Sequence, residues 1–138
     1  MNAYVDSSVV VRFVLLQRNR LSDLTSFEQL VTSQVTQLEC LRTLDKARIE
    51  EHLVPDEIIA RSAALFSQLR RMRRVPVSRS ILDRGGSSFP LPVKALDAIH
   101  LATALQFRER EQPDLVFATH DRQQGRAALA MGFPVIGL

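Results

Sequence analysis

The 138-residue sequence is 46% hydrophobic and 24% charged, with 5 glycines, 6 prolines and 1 cysteine. That apolar fraction excludes intrinsic disorder, no apolar run reaches the ~20 residues of a membrane-spanning helix, and a lone Cys40 excludes a disulfide framework or a cysteine zinc cluster. Eighteen basic against fifteen acidic side chains leave +3, a mild excess that permits nucleic acid without requiring it. The opening Met1–Asp6 stretch has no basic n-region or cleavage site of a signal peptide. A reducing cytoplasm is therefore the expected compartment, and the length predicts a single domain over 1–138.

Taken in chain order, Asn2–Val5 reads as a short strand, and Val9–Leu16, behind Ser7 and Ser8, as a helix. Leu30–Ser33 is a strand candidate. Thr36–Glu51 is helical, with Leu38, Leu41 and Leu44 at spacing three. Pro55 opens the next helix from the position where proline is tolerated, with Ile58, Ile59, Ser62, Leu65, Phe66, Leu69 and Met72 as its buried stripe. Val75–Val77 is a short extended piece, followed by a Ser-capped helical turn to Arg84. The run Gly85-Gly86-Ser87-Ser88 with Pro90 and Pro92 is the clear loop. Lys94–Glu111 is a helix, Leu115–Ala118 a strand, Thr119-His120-Asp121 a turn, and Arg122–Met131 a helix stopped by Gly132. Val135-Ile136 is the last strand. This alternation predicts an α/β fold with a central parallel sheet of four to five short strands covered by helices on both faces.

Charge is unevenly spread. Between Arg61 and Arg84 lie seven arginines and one acid, Asp83. Guanidinium forks bind phosphate bidentately, so Arg70, Arg71, Arg73 and Arg74 read either as an RNA-contacting patch or as a solvated helix end that favours the C-terminal dipole.

In a parallel sheet, ligands sit beyond the carboxyl ends of the strands, and two acids fall there. Asp6 follows the first strand directly and Asp121 follows Leu115–Ala118 after two residues. Each also reads as a helix cap. Glu39 stands three residues after Thr36, the spacing of a capping box. Asp97 lies inside an apolar helix, where a carboxylate is costly unless paired or bound to a cation; His100, three residues on, is a potential partner. Four acids converging on one crevice would repel by about 4 kcal/mol per pair at ~4 Å. An all-oxygen donor set without cysteines suits Mg²⁺ or Mn²⁺ rather than zinc.

Tyr4-Val5-Asp6-Ser7-Ser8, Glu39, the run Leu96-Asp97-Ala98-Ile99-His100-Leu101-Ala102-Thr103-Ala104 and the turn Thr119-His120-Asp121 resemble, in order and across essentially the whole chain, the motifs of the PIN-domain family. Length and opening strand are similar to its VapC-type toxin ribonucleases. The resemblance implies a PIN-like fold and a Mg²⁺- or Mn²⁺-dependent endoribonuclease that cuts structured RNA through metal-activated water. It also implies a homodimer inhibited by a cognate VapB-type antitoxin. Carried onto this sequence, Asp6 and Asp97 are the principal metal ligands, Glu39 and Asp121 complete the acidic ring, and Thr119 with Ser7 or Ser8 orients Asp121, water or phosphate.

Other α/β chemistries lack their residues. Ser8 stands where a HAD-type phosphatase needs its second acid, a receiver domain's late lysine is missing, and no glycine-rich turn follows the first strand for a dinucleotide. The alternative from another class is a non-catalytic module of the same fold that binds RNA or protein through Arg61–Arg84. Cys40 reads as a small buried hydrophobe, His52 as exposed, and His120 as a turn residue without a catalytic role.

Overall fold

The structure is a computed structural model that describes every residue except Ser22. Five parallel strands form one sheet in the order β3-β2-β1-β4-β5, with β1 at Asn2–Val5, β2 at Gln29–Ser33, β3 at Met72–Val75, β4 at Val116–Ala118 and β5 at Val135–Ile136. Six helices connect them: α1 (Ser7–Val14), α2 (Val35–Glu50), α3 (Pro55–Arg70), α4 (Arg79–Gly85), α5 (Ala95–Arg110) and α6 (Arg122–Ala130). The expected α/β class with a five-strand parallel sheet is what the chain forms.

The central strand β1 is buried throughout because both its faces are covered. Successive side chains of a strand point to opposite faces, and β1 and β4 show this pairwise. Tyr4 and Phe117 pack with Leu101, Leu105, Phe107 and Phe133 under α5 and α6. Val5 and Ala118 pack with Val9, Val10, Cys40, Leu65 and Leu69 under α1, α2 and α3. Tyr4 stacks on Phe117 with ring centroids 5.2 Å apart.

Several boundaries differ from the pattern reading. The strand expected at Val75–Val77 begins at Met72 and takes in Arg73 and Arg74. It pairs only with β2, and an edge strand tolerates charges that a central one does not. Met72 thus belongs to the sheet and not to the helical stripe. Ile59 and Phe66, also assigned to that stripe, are exposed on α3, while Leu65 and Leu69 carry its burial. Ser78 caps α4 by accepting the Ile81 amide, and Gly132, at φ +82°, ends α6 as expected.

The chain runs from β1 outward to β2 and β3 on one side, then returns to place β4 and β5 on the other. Strand order therefore reverses between β1 and β4, and the crevice beyond their carboxyl ends is where an open α/β sheet binds ligands. Asp6 leaves β1 at that point and Thr119 leaves β4.

Candidate active site

Asp6 occupies the N-cap position of α1, yet its carboxylate caps nothing. The side chain is buried, and its Oδ2 accepts hydrogen bonds from the Ser8 and Thr119 hydroxyls, both at 2.8 Å. Its other oxygen, Oδ1, lies 3.5 Å from His100 Nε2. The capping role expected as the plain alternative for Asp6 is absent.

Thr119 joins two of the acids. While its hydroxyl donates to Asp6, its oxygen accepts the Asp121 amide at 3.1 Å. Asp121 does cap α6, accepting the Gln124 amide at 3.0 Å, but its carboxylate is exposed. Gly137, at φ +101°, passes so close beneath that a Cβ there would stand 2.5 Å from the Thr119 carbonyl oxygen, so the glycine lets the chain pass under the Thr119 turn.

Glu39 does not form the capping box with Thr36, because α2 begins at Val35 with Gln34 as its N-cap. Thr36 is buried and hydrogen-bonds Thr32 at 2.7 Å, whose hydroxyl in turn donates to the Val5 carbonyl. That buttress fixes the start of α2 against the end of β1. Glu39 is thereby carried to the same crevice, where Oε2 accepts from Ser7 at 3.2 Å and Oε1 from His100 Nε2 at 2.6 Å.

Asp97 enters on the first turn of α5. The Asp97–His100 hydrogen bond weighed from the sequence does not form; His100 turns to Glu39 and to Tyr4, whose hydroxyl is 2.7 Å from Nδ1. Asp97 is instead crowded by charge. Burial, together with the neighbouring charges of Asp6, Asp121 and Glu39, pushes its carboxyl up to about 6 against the opposing pull of His100. His100 itself is held above its ordinary range: burial pulls it down, but the hydrogen bond to Glu39 and the charges of Asp6, Glu39 and Asp97 outweigh it. Burial, reinforced by Glu39 and Asp6, also pushes the Cys40 thiol up to about 12, which keeps it an inert core residue.

The donor set fits a hard divalent cation. All four acids offer oxygens, and a cation among them would neutralise the repulsion recorded in the raised Asp97 carboxyl. Among the described residues, no three acidic, histidine or cysteine side chains close on one point as a finished chelate; the acids are coupled by charge across the crevice. Mg²⁺ suits such a site because it keeps several waters and takes only one or two carboxylates.

His120 joins this network only through its backbone N–H, which donates to the Ser8 hydroxyl at 2.9 Å; its side chain stands apart. Its Nε2 accepts the Leu21 amide at 3.1 Å, so its Nδ1–H donates to the Gly137 carbonyl at 2.7 Å. It ties the C-terminal segment to the loop before β2. Tyr4 and Thr32, to which the sequence pattern assigns no role, are buried polar groups on covered strands. A hydroxyl in a fully covered strand is their one available signal.

The arginine-rich segment does not form a single surface. Arg73 and Arg84 are tied to Glu111 and Glu109 by paired guanidinium–carboxylate bonds. Arg61 donates to the Val14 carbonyl. Arg70 and Arg71 precede β3, at the end of the sheet opposite the acids.

A parallel sheet with a hydroxyl-buttressed acidic crevice at its switch point defines an α/β protein whose candidate site gathers oxygen donors beyond the carboxyl ends of its strands. Residues 3–129 match the family model for the PIN domain. The chain belongs to the PIN-domain family, whose members are in general nucleases. Among solved structures it is similar to a toxin–antitoxin complex from Klebsiella pneumoniae, with 18% identity over 97% of this chain and 95% of that one and a TM-score of 0.65. It is also similar to PAE2754 from Pyrobaculum aerophilum, with 18% identity over 98% and 83% of the two chains and a TM-score of 0.58. No curated protein matches the sequence significantly. Among the described residues no helix is long and apolar enough to cross a membrane.

Proposed function

We propose that residues 1–138 work as one metal-dependent endoribonuclease unit of the VapC toxin type, acting on structured RNA in the cytoplasm with Mg²⁺ or Mn²⁺. The observation that carries this reading is the buried Asp6 carboxylate, fixed by Ser8 and Thr119 and electrostatically coupled to Asp97, which also feels Asp121 and Glu39. A ring of negative charge weakens the binding of a polyanion unless a cation sits within it, so it favours a nuclease over a simple RNA-binding module. The similarity to a toxin–antitoxin complex supports a VapB-type antitoxin as partner. Leu38, Ile49, Ile59 and Phe66, exposed on α2 and α3, offer apolar surface for that partner or for a homodimer.

In this reading Asp6 and Asp97 hold the cation, with Glu39 and Asp121 completing the site directly or through water. A divalent cation bound there supplies a Lewis acid for the phosphoryl oxygens and lowers the pKa of a water. Ser8 and Thr119 restrain Asp6 to one rotamer, so its oxygens are placed before substrate arrives. Purified protein incubated with total RNA should give discrete fragments in Mg²⁺ or Mn²⁺ and none in EDTA. Intact RNA with either metal, across a mixture containing structured RNAs, would count against the reading.

In this reading RNA is gripped by cations near the crevice, and the position of Arg70 and Arg71 at the opposite end of the sheet favours other arginines for that role. Arg122 follows Asp121 directly, and Arg126 stands one turn further along α6. Both line an open recess with Leu91, Pro92 and Gln123, and neither is ion-paired among the described residues. Gln123 Nε2 donates to the Pro92 carbonyl at 2.8 Å, fixing the Gly85–Pro92 loop against α6 beside Lys94 and the start of α5. The double change Arg122→Ala with Arg126→Ala is expected to flatten the slope of log binding constant against log salt by about 1 to 2. Arg70→Ala with Arg71→Ala should leave it unchanged. Equal slopes for both pairs in a fluorescence-anisotropy titration would remove α6 from the RNA path.

A further inference from the structure

We infer that His100, its ring held in place by Tyr4, is a positioning residue that orients the Glu39 carboxylate for cation binding. The inference rests on the reading of the crevice as a cation site. Tyr4 and His100 are both completely buried, and a Phe and a Leu would fill the same space without burying three polar atoms. Their hydrogen bonds give the polar pair its sense. A carboxylate only accepts, so the 2.6 Å contact places a proton on His100 Nε2. In the neutral ring Nδ1 accepts from the Tyr4 hydroxyl, 2.7 Å away, and in the imidazolium Nδ1–H donates to the same oxygen, so in either state Tyr4 fixes the ring's orientation.

The consequence falls on Glu39, a long, partly buried side chain with three rotatable bonds. His100 holds Oε1 and Ser7 holds Oε2, so both oxygens are fixed, each with a lone pair remaining for a cation or its waters. The same Nε2 edge lies 3.5 Å from Asp6 Oδ1, which sets the imidazole between two carboxylates that repel each other. His100 stands one turn after Asp97 on α5, so a single helix delivers one acid to the crevice and a fixed donor to its floor. Outer groups that hold a ligand's orientation are commonly needed for full metal affinity.

The test is Mn²⁺ binding by titration calorimetry on the full chain, with thermal melts of every variant. His100→Leu, which keeps volume and removes the donor, is expected to weaken Mn²⁺ binding by roughly 10- to 100-fold. His100→Gln, whose amide nitrogen can stand in for Nε2, should stay within about threefold of wild type. Tyr4→Phe, which frees the ring's orientation, should fall between them. Wild-type affinity in His100→Leu, whatever its melting temperature, overturns the inference, as does an equal loss in His100→Gln and His100→Leu. If His100→Leu does not fold, Tyr4→Phe decides, and an unchanged affinity there overturns it. Wild-type protein that binds no Mn²⁺ overturns the cation-site reading and this inference together, whereas bound Mn²⁺ with indifferent variants overturns the inference alone.

Discussion

Asp6→Asn and Asp97→Asn are each expected to lower metal-dependent RNA cleavage by on the order of 10³-fold while RNA remains bound. Each change keeps the shape of the side chain and removes one negative charge from a set of four. At Asp6 the loss is compounded by geometry. Oδ2 accepts two hydroxyls and Oδ1 faces the Nε2–H edge of His100, so an amide nitrogen placed on the Oδ1 side meets a donor with a donor. At Asp97 no such contact is disturbed, and the loss there isolates the charge itself. RNA affinity in EDTA should hold or rise for both variants, because fewer carboxylates repel the phosphates. A variant that keeps more than about a tenth of the wild-type rate under saturating Mn²⁺ would remove that acid from the chemistry. A variant that loses RNA binding in step with cleavage would place it in the substrate grip instead.

How much of this was legible before any coordinates differs from residue to residue, for physical reasons. The strand ends at Asp6 and Asp121 are readable because an apolar run followed by an acid, at once for Asp6 and after two residues for Asp121, marks both the sheet and its carboxyl edge. Asp97 stood out by the cost of a carboxylate in an apolar helix. Glu39 was ambiguous, since Thr-x-x-Glu is also a capping signature; what decides between the two is where α2 begins, and that depends on the buried contacts of Thr32 with Thr36 and Val5. Those are tertiary contacts between residues that local spacing does not connect. The partner of His100 is hidden from the sequence for the same reason. A three-residue spacing on a helix pointed to Asp97, whereas the packing of α5 against β1 and α2 offered Tyr4 and Glu39. The start of β3 was lost because Met72 continues the helical period while Arg73 and Arg74 look like a helix end; only an unpaired sheet edge admits them as strand. The arginine count was correct as arithmetic, yet two of the seven, Arg73 and Arg84, are paired with Glu111 and Glu109 at the end of α5, which no local window reveals.

The metal-free protein is expected to gain stability from Asp97→Asn above about pH 6, and the sign follows from the direction of the shift. The folded state holds the Asp97 carboxyl at about 6, raised by burial and by the charges of Asp6, Asp121 and Glu39 from the ordinary 3.8. Between those two values the folded chain retains a proton that the unfolded chain releases. Stability therefore falls as pH rises through this window, and the penalty is complete above it and absent below about pH 4. A shift of this size corresponds at most to about 3 kcal/mol. Asp97 is only half-buried, and solvent screening reduces the figure to roughly 1 kcal/mol. The amide of the Asp97→Asn variant carries no such penalty, so in EDTA the variant should melt about 3 to 5 °C above wild type near neutral pH, with the gap closing toward pH 4. Mn²⁺ should reverse the order, because only the intact site gains the free energy of binding a cation. A variant that melts below wild type at neutral pH in EDTA would show that Asp97 is held by a favourable partner and not crowded by like charge. A gap that persists unchanged at pH 4 would assign the gain to packing.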